Sequence, residues 1–140
     1  LPIYFFDQDK QVIALAHAGW KGLVKNIVTA VVGKMKTEFN SDPKNIEVNI
    51  GPHIRDCHFE IGPDVAAQFA QYRQFLKTEN EKMFLNLGAV AKEQLLNAGI
   101  QSELIAISQE CTYCLDQKYF SYRRDKPERV EAMLAYSVLT

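Results

Sequence analysis

The stretch "ALAHAGWKGL", Ala14 to Leu23, puts one histidine between an apolar run and a glycine. An imidazole where a buried strand runs out and a helix begins stands where open α/β structures hold ligands and catalytic groups. Gly19 is expected to let the backbone turn tightly, and Trp20 to wall a pocket. Lys21 and the amides of the new helix are expected to face the same space, which favours an anion. The competing reading of His17 is a packed, hydrogen-bonded residue with no ligand.

A second group is sulfur-rich. Cys111 and Cys114 form C-x-x-C, and His53, Cys57 and His58 share one loop. Two sulfurs from one loop and two donors from the other would make a structural zinc site. A lone C-x-x-C is a weak signal, because two such knuckles are normally needed. "CTYC" also has a bulky aromatic setting instead of a glycine-rich one. The sequence alone therefore argues more against zinc here than for it. A redox pair finds less support still, since no thioredoxin-like βαβ start precedes it.

A third group is "YFSYRRD", Tyr119 to Asp125. Arg123 and Arg124 between aromatics could clamp a phosphate or carboxylate and stack on a planar ring. Equally, they could belong to a solvated loop in which Asp125 pairs one of them. Glu60, Asp64, Glu93 and Glu110 show no paired spacing, and neither a nucleophile elbow nor a P-loop is present.

The elements that must position these groups follow from periodicity. Leu1–Phe6 and Gln11–Ala16 read as two strands joined by the polar turn Asp7–Lys10. From Lys21 to about Phe39 the apolar residues fall on one helical face. Ile46–Ile50 reads as a strand entering "GPHIRDCHFEIGP", a shaped loop with a strand at His58–Ile61. Pro63 opens a helix over Asp64–Phe75. A strand at Lys82–Asn86, a helix to Ala98 stopped by Gly99, and a strand at Ser102–Ser108 follow. A long polar-aromatic loop then leads to a last strand or short helix at Val130–Leu139. The sum is one α+β domain, residues 1–140, with a mixed β-sheet and packed helices.

Bulk properties exclude some classes. The 140 residues are 47% hydrophobic and 24% charged with a net charge of -1, so no basic field favours nucleic acid or an anionic membrane. No apolar run approaches the roughly 20 residues of a membrane span. The odd count of three cysteines suits a reducing cytoplasm better than a disulfide framework. The chain opens on "LPIYFFDQDK", without methionine and already inside a strand-like run, which suggests that a segment precedes it.

"HAGWKGL", "IGPHIRDCHFEIG" and "CTYCLDQKYFSYRRDK" occur in this order across nearly the whole chain. Together they resemble the YfiH family, also described as the laccase-domain or polyphenol oxidase family. The resemblance implies an N-terminally truncated YfiH-like fold. It implies a zinc-dependent purine nucleoside phosphorylase acting on adenosine, inosine, guanosine and methylthioadenosine, with adenosine deaminase activity. Copper-dependent polyphenol oxidation and a peptidoglycan-editing role are other functions attached to the family. The partners implied are a purine nucleoside and phosphate.

By the same resemblance, three protein ligands hold the metal. They are an upstream histidine, a cysteine directly ahead of the segment matching Leu1, and the histidine of His-Ala-Gly-Trp, which is His17. Cys57 is then not the family's ligand cysteine, and the isolated chain is expected to be catalytically incompetent unless the other ligands come from elsewhere. Lys21, Arg123 and Arg124 are the candidate phosphate or substrate ligands. Lys21 stands where the family usually has arginine, and Asn86 where aspartate is common. The reading from a different class is a non-catalytic fragment whose exposed sheet edge pairs with a second copy, a homo-oligomer.

Overall fold

The computed structural model describes residues 1–129 and 131–140. The first two strands, β1 (Pro2–Asp7) and β2 (Val12–His17), form the expected hairpin, with Pro2 opposite His17 and Asp7 opposite Val12. Side chains alternate across β1, so Ile3, Phe5 and Asp7 are buried while their neighbours are half-exposed. The strand β3 (Ile46–Ile50) lies antiparallel on the other side of β1, and β7 (Ile105–Ile107) pairs with it in parallel. The order β2-β1-β3-β7 is a mixed sheet. A second, antiparallel sheet has the order β4 (Glu60–Ile61), β6 (Lys82–Leu85), β5 (Leu76–Glu79).

The helix expected from Lys21 to Phe39 is two helices, α1 (Trp20–Val24) and α2 (Ile27–Phe39). Asn26 breaks them by adopting the left-handed region at φ 54, ψ 42, which asparagine tolerates better than most residues. The break leaves the Leu23 carbonyl outside the regular ladder, and the buried Gln94 answers it. Gln94 Nε2 donates to Leu23 O at 2.7 Å and lies 3.2 Å from Asn26 Oδ1. Gln94 sits on α4 (Leu87–Asn97), so one side chain ties three helices together. In α2, Val28, Val32 and Met35 form the buried stripe that packs toward the sheet.

Four other expectations shift. The helix from Pro63 is short, α3 (Pro63–Gln68), and continues as a 3-10 turn over Ala70–Phe75. The strand expected at His58–Ile61 is only Glu60–Ile61, because residues 56–58 form a turn. Ser102–Leu104 is a 3-10 turn ahead of β7, not strand. Of the last element, Val130 lies outside the described residues, and 131–140 form neither helix nor strand. A short helix not anticipated, α5 (Tyr122–Asp125), carries both candidate arginines. The α+β class and mixed sheet stand, and among the described residues no helix is long and apolar enough to cross a membrane.

Candidate functional site

His17 ends β2 with its side chain exposed, while Ala16 and Ala18 on either side are buried. Desolvation holds its pKa below the ordinary 6.5, which favours the neutral, ligating imidazole. Gly19 adopts an extended φ of -73 and ψ of 172, open to any residue, so no tight turn demands it. A Cβ there would sit 3.8 Å from His17 Nε2, an ordinary contact. Trp20 begins α1 immediately beyond Gly19.

Trp20 also walls a cleft of about 360 Å³, with Phe59, Glu60, Ile61 and Arg123 among its other lining residues. Two loops far apart in sequence build it, one leading into β4 and one carrying α5. Arg123 bridges them, since its Nη1 donates to Glu60 O at 2.9 Å and its guanidinium lies 5.4 Å from the Phe59 ring. Among the described residues Glu60 O is the one hydrogen-bond acceptor of the Arg123 side chain, which leaves N–H groups there to meet an anion.

The two neighbouring arginines have different surroundings. Arg124 donates to the carbonyls of Thr112, Tyr113 and Tyr119 at 2.7–3.0 Å and to both Asp125 oxygens. The Asp125 carboxylate beside it holds Arg124 charged, and Arg124 holds the Asp125 pKa down. Arg124 thus fastens the loop from Cys111 to Asp125. Lys21 is exposed and sits with Nζ 5.5 Å from the centre of the Trp20 ring, beside the cleft but not among its lining residues. With α1 only five residues long, its amides supply little field.

The sulfur-rich residues, weighed down by the lone C-x-x-C, converge. Cys57, His58, Cys111 and Cys114 each offer a donor atom, and all four atoms lie within 4.8 Å of one another. An isolated parallel bridge between His53 and Cys111, with Thr112 N donating to His53 O at 3.1 Å, brings the two loops together. His53 itself points elsewhere. It is buried, its Nδ1 lies 2.8 Å from Gly51 O, and desolvation lowers its pKa. Burial, with hydrogen bonds to Cys111 and Cys114, pushes the Cys57 thiol up to about 12. Burial raises Cys111 as well, but the backbone amides of Arg55, Cys114 and Tyr113 outweigh it and draw this thiol below its ordinary value.

His17 belongs to no comparable group. Among the described residues, the Cys57–His58–Cys111–Cys114 set is the one place where three or more ligating side chains converge. The donors at His17 therefore do not by themselves form a three-ligand metal site.

Comparison with known proteins adds kinship to this geometry. A family model described as multi-copper polyphenol oxidoreductase laccase matches residues 1–136. The purine nucleoside phosphorylase YfiH of Escherichia coli is 32% identical over 130 residues, covering 90% of this chain and 51% of that protein. A purine nucleoside phosphorylase of Clostridium acetobutylicum is 35% identical over 127 residues, covering 89% and 53%. The crystal structure of Bacillus licheniformis YfiH superposes with a TM-score of 0.85 at 32% identity, covering 89% of this chain and 49% of that one. That of YlmD from Geobacillus stearothermophilus gives 0.80 at 32% identity, covering 89% and 48%. The chain spans about half the length of the curated relatives it matches. With three ordered motifs, this fold and a family model covering nearly every residue in agreement, the chain belongs to the YfiH-type family described as multi-copper polyphenol oxidoreductase laccase.

Proposed function

We propose that this chain forms the nucleoside-facing part of a purine nucleoside phosphorylase that takes adenosine, inosine, guanosine and methylthioadenosine. The observation that carries the reading is the cleft that Trp20 and Arg123 both line. A purine stacks on the indole, and the guanidinium offers paired donors to phosphate. Relatives named purine nucleoside phosphorylase support the same reading.

In phosphorolysis a phosphate oxygen forms a bond to ribose C1′ while the bond from C1′ to the purine nitrogen breaks. The base leaves with the electron pair and takes a proton. Arg123 holds the phosphate against that carbon and offsets its charge as two reactants are brought together. Trp20 orients the base, and Phe59 with Ile61 keeps water from the back of the cleft. With water in place of phosphate, attack at C6 and departure of the 6-amino group as ammonia, carrying a proton from that water, the same pocket would support adenosine deamination.

The resemblance implies a zinc ion at His17, with copper as the alternative. Pro2 faces His17 across the hairpin, and Leu1 O accepts from Ala18 N at 2.8 Å. An ion bound there would supply Lewis acidity. The donors of this chain alone do not complete that site, and the roles assigned to Trp20 and Arg123 do not depend on it.

The test is phosphorolysis by the protein carrying this chain, with inosine and inorganic phosphate. Equal release of hypoxanthine and ribose 1-phosphate is expected, with the KM for phosphate raised in Arg123→Ala. Base release that ignores phosphate would contradict the proposal. Oxidation of a phenol with copper and no phosphorolysis would favour the reading in the family model's description.

A further inference from the structure

We infer that Cys57, His58, Cys111 and Cys114 form a structural zinc site with three thiolates and one imidazole, separate from His17. The spacing of the donors is the first argument. Cys57 Sγ lies 3.6 Å from Cys111 Sγ and 3.7 Å from Cys114 Sγ. His58 Nδ1 lies 3.2 Å from Cys57 Sγ and 3.4 Å from Cys114 Sγ. A tetrahedral ion with arms of about 2.3 Å to sulfur and about 2.0 Å to nitrogen spaces its donors about 3.5–3.8 Å apart. The four measured separations are close to the edges of that tetrahedron. They are too long for a disulfide, whose sulfurs are about 2.0 Å apart, and three thiols cannot all pair.

The surroundings are the second argument. His58 stacks on Tyr113, with ring centroids 4.0 Å apart and planes 15° from parallel, and this fixes the imidazole with Nδ1 toward the sulfurs. The Arg55 amide donates to Cys111 Sγ at 3.5 Å, as outer amides do for metal-bound thiolates. Arg55 Nη1 holds Gln109 O at 2.8 Å, and Arg124 holds the carbonyls of Thr112 and Tyr113, so both sides of the C-x-x-C turn are fastened. Such support orients donors that would otherwise repel one another once ionised.

The donor set decides the metal and its role. Three soft thiolates and one imidazole suit a tetrahedral d10 ion and not an octahedral one. Four protein donors leave no open position, so the ion is structural and no substrate binds to it. Its place in the chain gives it a task. Cys57 and His58 directly precede Phe59 and Glu60, and Cys114 lies on the loop that carries Arg123, so the ion crosslinks the two loops that wall the cleft.

The test is cobalt titration of the reduced full chain, read by absorption, beside zinc analysis and thermal unfolding with and without chelator. The expected result is one Co2+ per chain with sulfur-to-metal charge transfer and tetrahedral bands, displaced by Zn2+, and a chelator-sensitive Tm. His17→Ala should keep this spectrum. Cys57→Ser and Cys114→Ser alter exposed residues and should fold, yet weaken binding about tenfold or more, since even outer-shell losses cost that much. Absence of the sulfur band in the unaltered chain would overturn the inference. So would a spectrum that survives both cysteine variants, or one that disappears in His17→Ala. None of these readouts involves a nucleoside, so the site and the phosphorylase reading can fail separately.

Discussion

Pro2 and His17 are partners at the open end of the β1–β2 ladder, and the next residue, Ala18, is bonded back to Leu1. The hairpin thus fixes the imidazole against the start of the chain's first strand, on a surface that the fold leaves exposed. His17→Ala removes no buried contact, so its stability should stay within about 0.5 kcal/mol of the parent. Activity of the protein carrying this chain should fall sharply. Denaturant unfolding beside the phosphorolysis assay checks both, and a large loss of stability would make His17 a packing residue.

Gly88 and His53 give a sharper stability test. A Cβ on Gly88 would lie 2.9 Å from His53 Nε2 and 3.2 Å from His53 Cε1. His53 is buried and fastened to Gly51, so it has little room to yield. Gly88→Ala should cost about 1–3 kcal/mol, as overpacked cores do, despite the better helix propensity of alanine. Urea denaturation measures it.

The buried His53 also predicts a pH dependence. Its folded pKa is below the ordinary 6.5 because burial disfavours the charged ring. The unfolded chain therefore binds the proton more readily, and stability falls as pH drops from 6.5 toward the lowered value. Above 6.5 both states are neutral and this contribution is flat. Glu110 and Asp125 have lowered carboxyl pKa values, from their Lys118 and Arg124 partners respectively, and should add a separate loss only below about 4.5. Thermal unfolding across this range should show the first loss reduced in His53→Gln.

Arg123 and Arg124 are adjacent and should behave differently. Arg124→Ala removes the donors to three loop carbonyls, so amide exchange and proteolysis over residues 111–125 should accelerate. Arg123→Ala releases only Glu60 O and should leave that protection nearly unchanged while weakening phosphate binding. Equal effects of the two substitutions on phosphate would contradict the separation.

Much of the fold was readable because one face of each element is apolar. The apolar run from Leu1 to Phe6 marked β1, although Asp7, read as part of the turn, is its buried last residue, and Gly99 at φ 94 ended α4 as expected. Asn86 marks the start of α4, where its Oδ1 accepts from Ala89 N at 2.9 Å. The break at Asn26 left no mark on the periodicity, because Leu23, Val28, Val32 and Met35 are buried on both sides of it. The strand β5 was missed for two reasons. Only Leu76 among its residues is even partly buried, and its hairpin turns on Asn80 and Glu81 at φ 48 and 65 in place of a glycine pair.

The convergence of Cys57, His58, Cys111 and Cys114 was the least legible part of the site. Cys57 and Cys111 are 54 residues apart, and contacts between the two loops, the His53–Cys111 bridge among them, bring them together. No spacing rule spans that distance, so the C-x-x-C had to look weak. The division between Arg123 and Arg124 was equally hidden, because it depends on how the four-residue α5 faces the loop behind it.

The central claim is that the Trp20–Arg123 cleft holds a purine nucleoside. Trp20 is the chain's one tryptophan, so its fluorescence reports that wall alone. Titration with inosine in the presence of phosphate tests the claim most directly. A saturable change in Trp20 emission, with its phosphate dependence lost in Arg123→Ala, is the predicted result. No saturable change with any purine nucleoside would contradict the account.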